Sequence, residues 1–286
     1  MKKKRIGFND LLLKKEQEEK ISMLTAYDWP MARLLDKAGI DCVLVGDSAA
    51  NTVLGYEDTV PVTMDEMIVL ARAVSRGVDH ALVIGDMPFL SYQVSVEEAI
   101  RNGGRFLKEA QCDAVKLEGG AAMVPTIAAM TRAGIPVVGH LGLTPQTASM
   151  LGGYRVQGRT AQAALAILED AMAIEKAGAV MLVLELVPHQ VASLVSKHLR
   201  IPVIGIGAGP GCDGQVLVLH DMLGFNDFRP KFLKVYENLE QRILEAADAY
   251  IKDVKSRSFP DADHRFTMEK QELSTLMAQV EERYGR

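Results

Sequence analysis

Short runs of Val, Ile and Leu recur along the chain with almost no polar alternation, at 21–25, 42–47, 81–86, 114–118, 137–141, 180–185 and 203–206, with an eighth at 216–220. Runs that are apolar on both faces predict parallel strands covered on each side. The segments between them read as helices. Thr63 to Glu66 and Ser95 to Glu98 have the spacing of capping boxes, and Asp28 followed by Pro30 marks a third helix start. In that third helix Met31, Leu34, Leu35 and Ala38 fall on one predicted core face. Helix ends echo one another in Lys37-Ala38-Gly39, Arg132-Ala133-Gly134 and Lys176-Ala177-Gly178, each just before an apolar run. A cation at the negative end of the helix dipole followed by a left-handed glycine is a stop signal.

Strand and helix therefore alternate about eight times in 286 residues. That pattern predicts an α/β chain forming a single (β/α)8 TIM barrel, with a doubly wound sheet as the structural alternative. The expected domain is 1–286, with a core at about 20–264 and extra C-terminal helices: one near 236–255, and another in the extension at 265–286.

Five ionisable side chains break the apolar runs near their C-terminal ends: Asp47, Asp86, Lys116, Glu118 and Glu185. Burying an unpaired charge costs several kcal/mol or forces neutralisation, so repeated placement of charge at strand ends points to convergence on a site. Residues two apart on a strand share a face. Val43, Val45 and Asp47 then face together, as do Leu82, Ile84 and Asp86, Lys116 and Glu118, and Met181, Val183 and Glu185. If those faces look inwards, the charges meet at the C-terminal mouth, where barrel active sites are built. The echo of Val45-Gly46-Asp47 in Ile84-Gly85-Asp86 predicts two carboxylates at matching depth on neighbouring strands.

Carboxylates that close repel unless a proton or cation lies between them. Oxygen donors without a Cys or His cluster favour Mg2+, with Mn2+ or Co2+ able to take the same site. Asp47, Asp86 and Glu118 are the candidate metal ligands. Lys116 suits a substrate carboxylate, with Ser48 beside it, or else pairs with Glu118. Glu185, flanked by Leu184, Leu186 and Val187, is expected to lack charged neighbours, so desolvation should raise its pKa and suit it as a general base. His140 is a candidate contact to substrate or support for one. The paired glycines of GGYRVQGR (152–159) make that segment a candidate lid.

Composition narrows the partners. At 48% hydrophobic and 24% charged, with a net charge of -5, the chain has the material for a large core and no basic surface for nucleic acid. Three scattered cysteines, Cys42, Cys112 and Cys212, spell neither a disulfide framework nor a metal motif and read as small buried hydrophobes. The MKKKR start lacks a secretory apolar core, and no run spans a bilayer. A cytoplasmic small-molecule enzyme is expected.

Several segments carry a more specific signal: LTAYD (24–28), VGDS (45–48), TVLGYEDTVPVT (52–63), GDMPF (85–89), VKLEGG (115–120), GHLGLTPQ (139–146), GGYRVQGR, and PVIGIGAGPGCDGQVLVLHD (202–221). In their order, over about 21–264, the chain resembles the ketopantoate hydroxymethyltransferase family. The resemblance implies a barrel of the phosphoenolpyruvate/pyruvate type, a homodecamer, and Mg2+-dependent transfer of a one-carbon unit. The donor would be 5,10-methylenetetrahydrofolate and the acceptor 3-methyl-2-oxobutanoate, giving 2-dehydropantoate for pantothenate synthesis. It also implies roles: Asp47, Asp86 and Glu118 on the metal, Asp47, Asp86, Ser48 and Lys116 at the keto acid, and Glu185 as proton acceptor. Ala49-Ala50-Asn51 departs from the Leu-Gly-Met expected there. Two alternatives stay open: another Mg2+-dependent keto-acid lyase or mutase on the same barrel, and a catalytically silent keto-acid-binding barrel.

Overall fold

Eight parallel strands pair in chain order and close, the last against the first. They are β1 (Ile21–Thr25), β2 (Cys42–Val45), β3 (Leu82–Asp86), β4 (Ala114–Glu118), β5 (Val137–Gly142), β6 (Met181–Glu185), β7 (Val203–Ile206) and β8 (Gly214–Leu217). The computed structural model describes residues 5–285; the basic start at 1–4 and Arg286 lie outside the described residues.

The expected TIM barrel is thus present, with two shifts at strand ends. β2 stops at Val45, so Asp47 lies beyond it. β8 begins at Gly214, because Gly214 sits so close to β1 that a Cβ there would lie 2.4 Å from the carbonyl oxygen of Ile21. Residues 219–220, expected to end that strand, instead belong to a short helix, Leu219–Met222.

The barrel interior is a packed apolar plug of Ile21, Met23, Cys42, Leu44, Leu82, Ile84, Ala114, Val138, Met181, Val183, Ile204 and Val216. Leu11, from the helix Phe8–Glu16, joins this cluster, with Ile6 and Phe8 packed against it. Each such residue, fully withdrawn from water, contributes about 1.5–3 kcal/mol. A second, larger layer lies between the strands' outer faces and the helices, and includes Val43, Val45, Val83, Val115, Leu117, Leu182 and Leu184. The inward face of β2 is therefore Cys42 and Leu44. The expected inward set of Val43 and Val45 is corrected: both face the helices.

Local signals explain the helices. Thr63 and Glu66 form a reciprocal capping box at the helix Met64–Gly77. Ser95 caps the backbone N–H of Glu98 (3.1 Å), and Asp28 that of Met31 (2.8 Å). The three helix-end glycines, Gly39, Gly134 and Gly178, all have positive φ. One face was misread. In the helix Trp29–Ala38 the buried residue is Ala32, while Leu34 is 54% exposed. Asp36 accepts the backbone N–H groups of Asp79, His80 and Ala81, and this link turns the helix away from the expected apolar stripe.

The chain divides into two compact units, one ending at Tyr236 and one beginning at Glu237. The second unit holds the helices Leu239–Ser256 and Lys270–Tyr284, neither of which has a buried residue among those described. Their apolar side chains, Ile243, Leu244 and Leu273 among them, stay exposed and supply no core.

Candidate active site

A cavity of about 750 Å3 opens at the C-terminal ends of the strands, and its wall includes Asp47, Ser48, Asp86, Lys116, Glu118, His140 and Glu185. The structure brings together every site residue expected from the sequence. Asp47, Asp86, Lys116, Glu118 and His140 are each at most 5% exposed.

Strand register explains the contacts. Asp86 and Lys116 are direct partners across β3 and β4, and Lys116 Nζ lies 2.7 Å from Asp86 Oδ1. The ammonium thus pairs with Asp86, not with Glu118 beside it on its own strand. Glu118 and His140 are partners across β4 and β5, with His140 Nδ1 3.2 Å from Glu118 Oε1 and 3.4 Å from Lys116 Nζ. On β6, Val183 is the partner of His140, and Glu185 stands two residues further along the same face. His140 Nε2 comes to 3.2 Å from Glu185 Oε2, so the expected isolation of Glu185 from charged neighbours is corrected: the cross-strand imidazole is its partner.

Asp47 arrives by another route. Leu44 is level with Ile84 and Val45 with Gly85, so the two Gly-Asp echoes are offset by one residue and not at matching depth. From beyond the end of β2, the backbone N–H of Asp47 donates to Asp86 Oδ2 at 3.0 Å. Ser48 Oγ is 2.8 Å from the Tyr27 hydroxyl.

Burial pushes the Asp86 carboxyl up to about 7 against the opposing pull of Lys116. Burial also raises Glu118, against His140 and Lys116. Desolvation works against a charged Lys116, yet Asp86, Asp47 and Glu118 outweigh it and hold the ammonium above its usual range. For His140, burial and Lys116 act against the proton, but Glu118 and Glu185 prevail and lift it to about 9. Both shifts favour the charged form of the basic group.

The donors fit a hard divalent cation. Asp86 Oδ1 and Glu118 Oε1 are buried and accept no well-directed hydrogen bond, although Lys116 and His140 approach them. No three acidic, His or Cys side chains among the described residues stand ready as a complete cage. One or two carboxylates completed by water and substrate oxygens are the usual Mg2+ arrangement, and this site matches it.

Two residues in the cluster carried no sequence assignment. Gln146 and Tyr92 are both buried, and their hydroxyl and amide groups bond at 2.7 Å. Gln146 closes the GHLGLTPQ segment, the one signal that pointed towards it. Tyr154, from the candidate lid, also lines the cavity.

A closed parallel barrel with acids, a lysine and a histidine at its C-terminal mouth is the architecture of a barrel enzyme acting on a small molecule. Solved structures share the fold. A phosphoenolpyruvate phosphomutase from Streptomyces platensis subsp. rosaceus superposes with TM-score 0.60 at 15% identity, covering 98% of this chain and 100% of the other. A 2,3-dimethylmalate lyase of the PEP mutase/isocitrate lyase superfamily does so with TM-score 0.57 at 17% identity, covering 96% and 98%. At these identities the likeness concerns the fold alone.

Sequence comparison is more specific, because the ketopantoate hydroxymethyltransferase family model matches residues 5–262. The 3-methyl-2-oxobutanoate hydroxymethyltransferase of Syntrophus aciditrophicus (strain SB) is 57% identical over 88% of this chain and 93% of its own. That of Syntrophomonas wolfei subsp. wolfei is 51% identical over 95% and 99%, and that of Moorella thermoacetica 54% over 92% and 98%. The chain belongs to the ketopantoate hydroxymethyltransferase family and is an enzyme of hydroxymethyl transfer.

Proposed function

We propose that the cavity carries out a carbanion reaction on 3-methyl-2-oxobutanoate, with Glu185 as the base. The observation that carries this reading is the position of Glu185: at the C-terminal end of β6, on the cavity wall, with its carboxylate 3.2 Å from His140 Nε2. Lys116 and Ser48 hold the substrate carboxylate. Asp47, Asp86 and Glu118 are the residues that would hold Mg2+, which when bound supplies positive charge opposite the keto oxygen, where negative charge develops. Glu185 takes the proton from C3, and the electron pair of that C–H bond becomes the carbon nucleophile.

That carbon then bonds to the methylene carbon of 5,10-methylenetetrahydrofolate as one methylene C–N bond breaks and its electron pair passes to nitrogen. Water replaces the other C–N bond to leave the hydroxymethyl group, and the folate nitrogens take up the protons. In sum the keto acid, the folate and one water give 2-dehydropantoate and tetrahydrofolate. The family resemblance supports the folate donor, a homodecamer and a cytoplasmic site of action. Among the described residues no helix is long and apolar enough to cross a membrane.

The test is exchange of the C3 proton of 3-methyl-2-oxobutanoate in deuterated water with Mg2+ and no folate, followed by NMR. The unsubstituted protein is expected to catalyse it, and Glu185→Gln to lose roughly 10²- to 10⁴-fold. Near-normal exchange in Glu185→Gln would remove Glu185 from the base role.

A further inference from the structure

Each of the three acids at the mouth has one carboxylate oxygen held by a directed N–H. Gln146 Nε2 donates to Asp47 Oδ2 at 3.0 Å, and also to the carbonyl oxygen of Met87 at 3.0 Å. The backbone N–H of Gln146 donates to Glu118 Oε2 at 3.1 Å. The Tyr92 hydroxyl donates to Gln146 Oε1 at 2.7 Å and accepts from the backbone N–H of Glu118 at 3.1 Å. Asp86 Oδ2 is held by the backbone N–H of Asp47. The other oxygens are Asp47 Oδ1, Asp86 Oδ1 and Glu118 Oε1; the last two accept no well-directed hydrogen bond, although Lys116 Nζ approaches Asp86 Oδ1 to 2.7 Å and His140 Nδ1 approaches Glu118 Oε1 to 3.2 Å.

Gln146 cannot exchange this role with solvent. It is 4% exposed and Tyr92 2%, and their bonds occupy both ends of the Gln146 side-chain amide. The Tyr92 bond also fixes which end of the amide carries the nitrogen: the hydroxyl proton goes to Oε1, so Nε2 must face Asp47. That donor holds Asp47 Oδ2 in place.

We infer that Gln146, oriented by Tyr92, is a positioning residue that turns one oxygen each of Asp47 and Glu118 towards a divalent cation. The inference rests on the proposed metal reading and extends it from the ligands to what aims them. Outer partners of this kind typically change metal affinity by roughly 10- to 100-fold.

The test measures binding of Mn2+ to metal-free protein by the EPR signal of the free ion, with and without 3-methyl-2-oxobutanoate. Gln146→Leu keeps the bulk of the side chain and removes its three side-chain bonds. Its Mn2+ dissociation constant is expected to rise about 10- to 100-fold, and that of Tyr92→Phe by a smaller factor in the same direction. A purely structural role would lower the melting midpoint and leave Mn2+ affinity unchanged, so both are recorded. Mn2+ affinity within twofold of the unsubstituted protein in folded Gln146→Leu overturns the inference. Where Gln146→Leu does not fold, the same result in Tyr92→Phe overturns it. If the unsubstituted protein binds no Mn2+ under either condition, the metal reading itself fails, which is a separate outcome.

Discussion

Gly142 is where backbone packing, stability and the proposed chemistry meet. It is the last residue of β5, level with Glu185 on β6, and its φ is 93°. A Cβ built there would stand 2.1 Å from the carbonyl oxygen of Glu185 and 2.9 Å from Val187 Cγ1. That same carbonyl accepts the backbone N–H of Leu143 at 2.8 Å, so the two strand ends are already tied together. In Gly142→Ala the left-handed conformation alone costs about 1–2 kcal/mol. The clash is with main chain, so one strand end must also move. Together these effects should cost about 2–4 kcal/mol and lower the melting midpoint by roughly 5–15 °C.

The functional consequence is separable from the loss of stability. Relieving the overlap moves the Glu185 main chain by on the order of 1 Å, and a misplacement of that size costs about 10²-fold in rate. Lys116 is level with Val138, four residues before Gly142 on β5, and Ser48 follows β2, so neither touches the shifted strand ends and keto-acid affinity should change by less than about threefold, under 1 kcal/mol. C3 proton exchange, measured well below the lowered midpoint, is expected to fall about 10²-fold with binding nearly constant. Exchange within threefold of the unsubstituted rate, in a variant whose melting point has dropped, would show that the β5–β6 contact does not govern the base.

Two further outcomes follow from the buried charges. Lys116→Met strands Asp86 without its cation, but a carboxyl already at about 7 can take up a proton, so the loss of stability should be about 1–3 kcal/mol and not the 3–5 typical of a broken buried pair. In metal-free protein the deficit should be larger at pH 8 than at pH 6, where Asp86 is mostly neutral in both proteins. A deficit independent of pH, by thermal melts, would contradict this. His220 is packed between Tyr27 and Phe225, and burial, against the pull of Asp28 and Asp221, holds its pKa below the usual 6.5. The unfolded chain therefore binds the His220 proton first. Stability is full above pH 6.5 and falls as pH drops through the depressed folded value. Melts from pH 7.5 to 5 should show a slope that His220→Gln reduces, and an unchanged slope would remove His220 as its source.

The barrel was legible because its two main signals are local. Both-face burial of parallel strands leaves unbroken Val, Ile and Leu runs, and helix stops such as Lys176-Ala177-Gly178 need only a few neighbouring residues. What stayed hidden depends on tertiary pairing. Gly214 and Gln215 have no strand-like composition and join the sheet because β1 and β7 both present edges to them. Leu34 looks inward by periodicity, and faces solvent because Asp36 binds backbone beyond the next helix. The start of the second unit at Glu237 carries no break in composition. It emerges only because the apolar positions of the following helices do not become buried.

The site shows a sharper division between what parity predicts and what register decides. Strand parity placed Asp86, Lys116, Glu118 and Glu185 on inward faces, and each lies within or ends a strand whose inward neighbours are apolar. The same rule placed Asp47 correctly for a wrong reason. Parity along a run that had already ended at Val45 would also have turned Val43 and Val45 inwards, whereas a turn brings Asp47 to the mouth. Pairings across strands were beyond any single-strand rule. Lys116 stands two residues from Glu118 but binds Asp86, because a direct cross-strand partner is closer than the next residue on the same face. His140 reaches its direct cross-strand partner Glu118 and also Glu185, two residues beyond its β6 partner Val183, and this removes the charge isolation inferred from Leu184 and Leu186. Leu184 points away and joins the outer core, whereas Leu186, beyond the strand, lines the cavity with Glu185. Flanking residues on a strand therefore report poorly on the surroundings of a charge, because successive side chains face opposite sides.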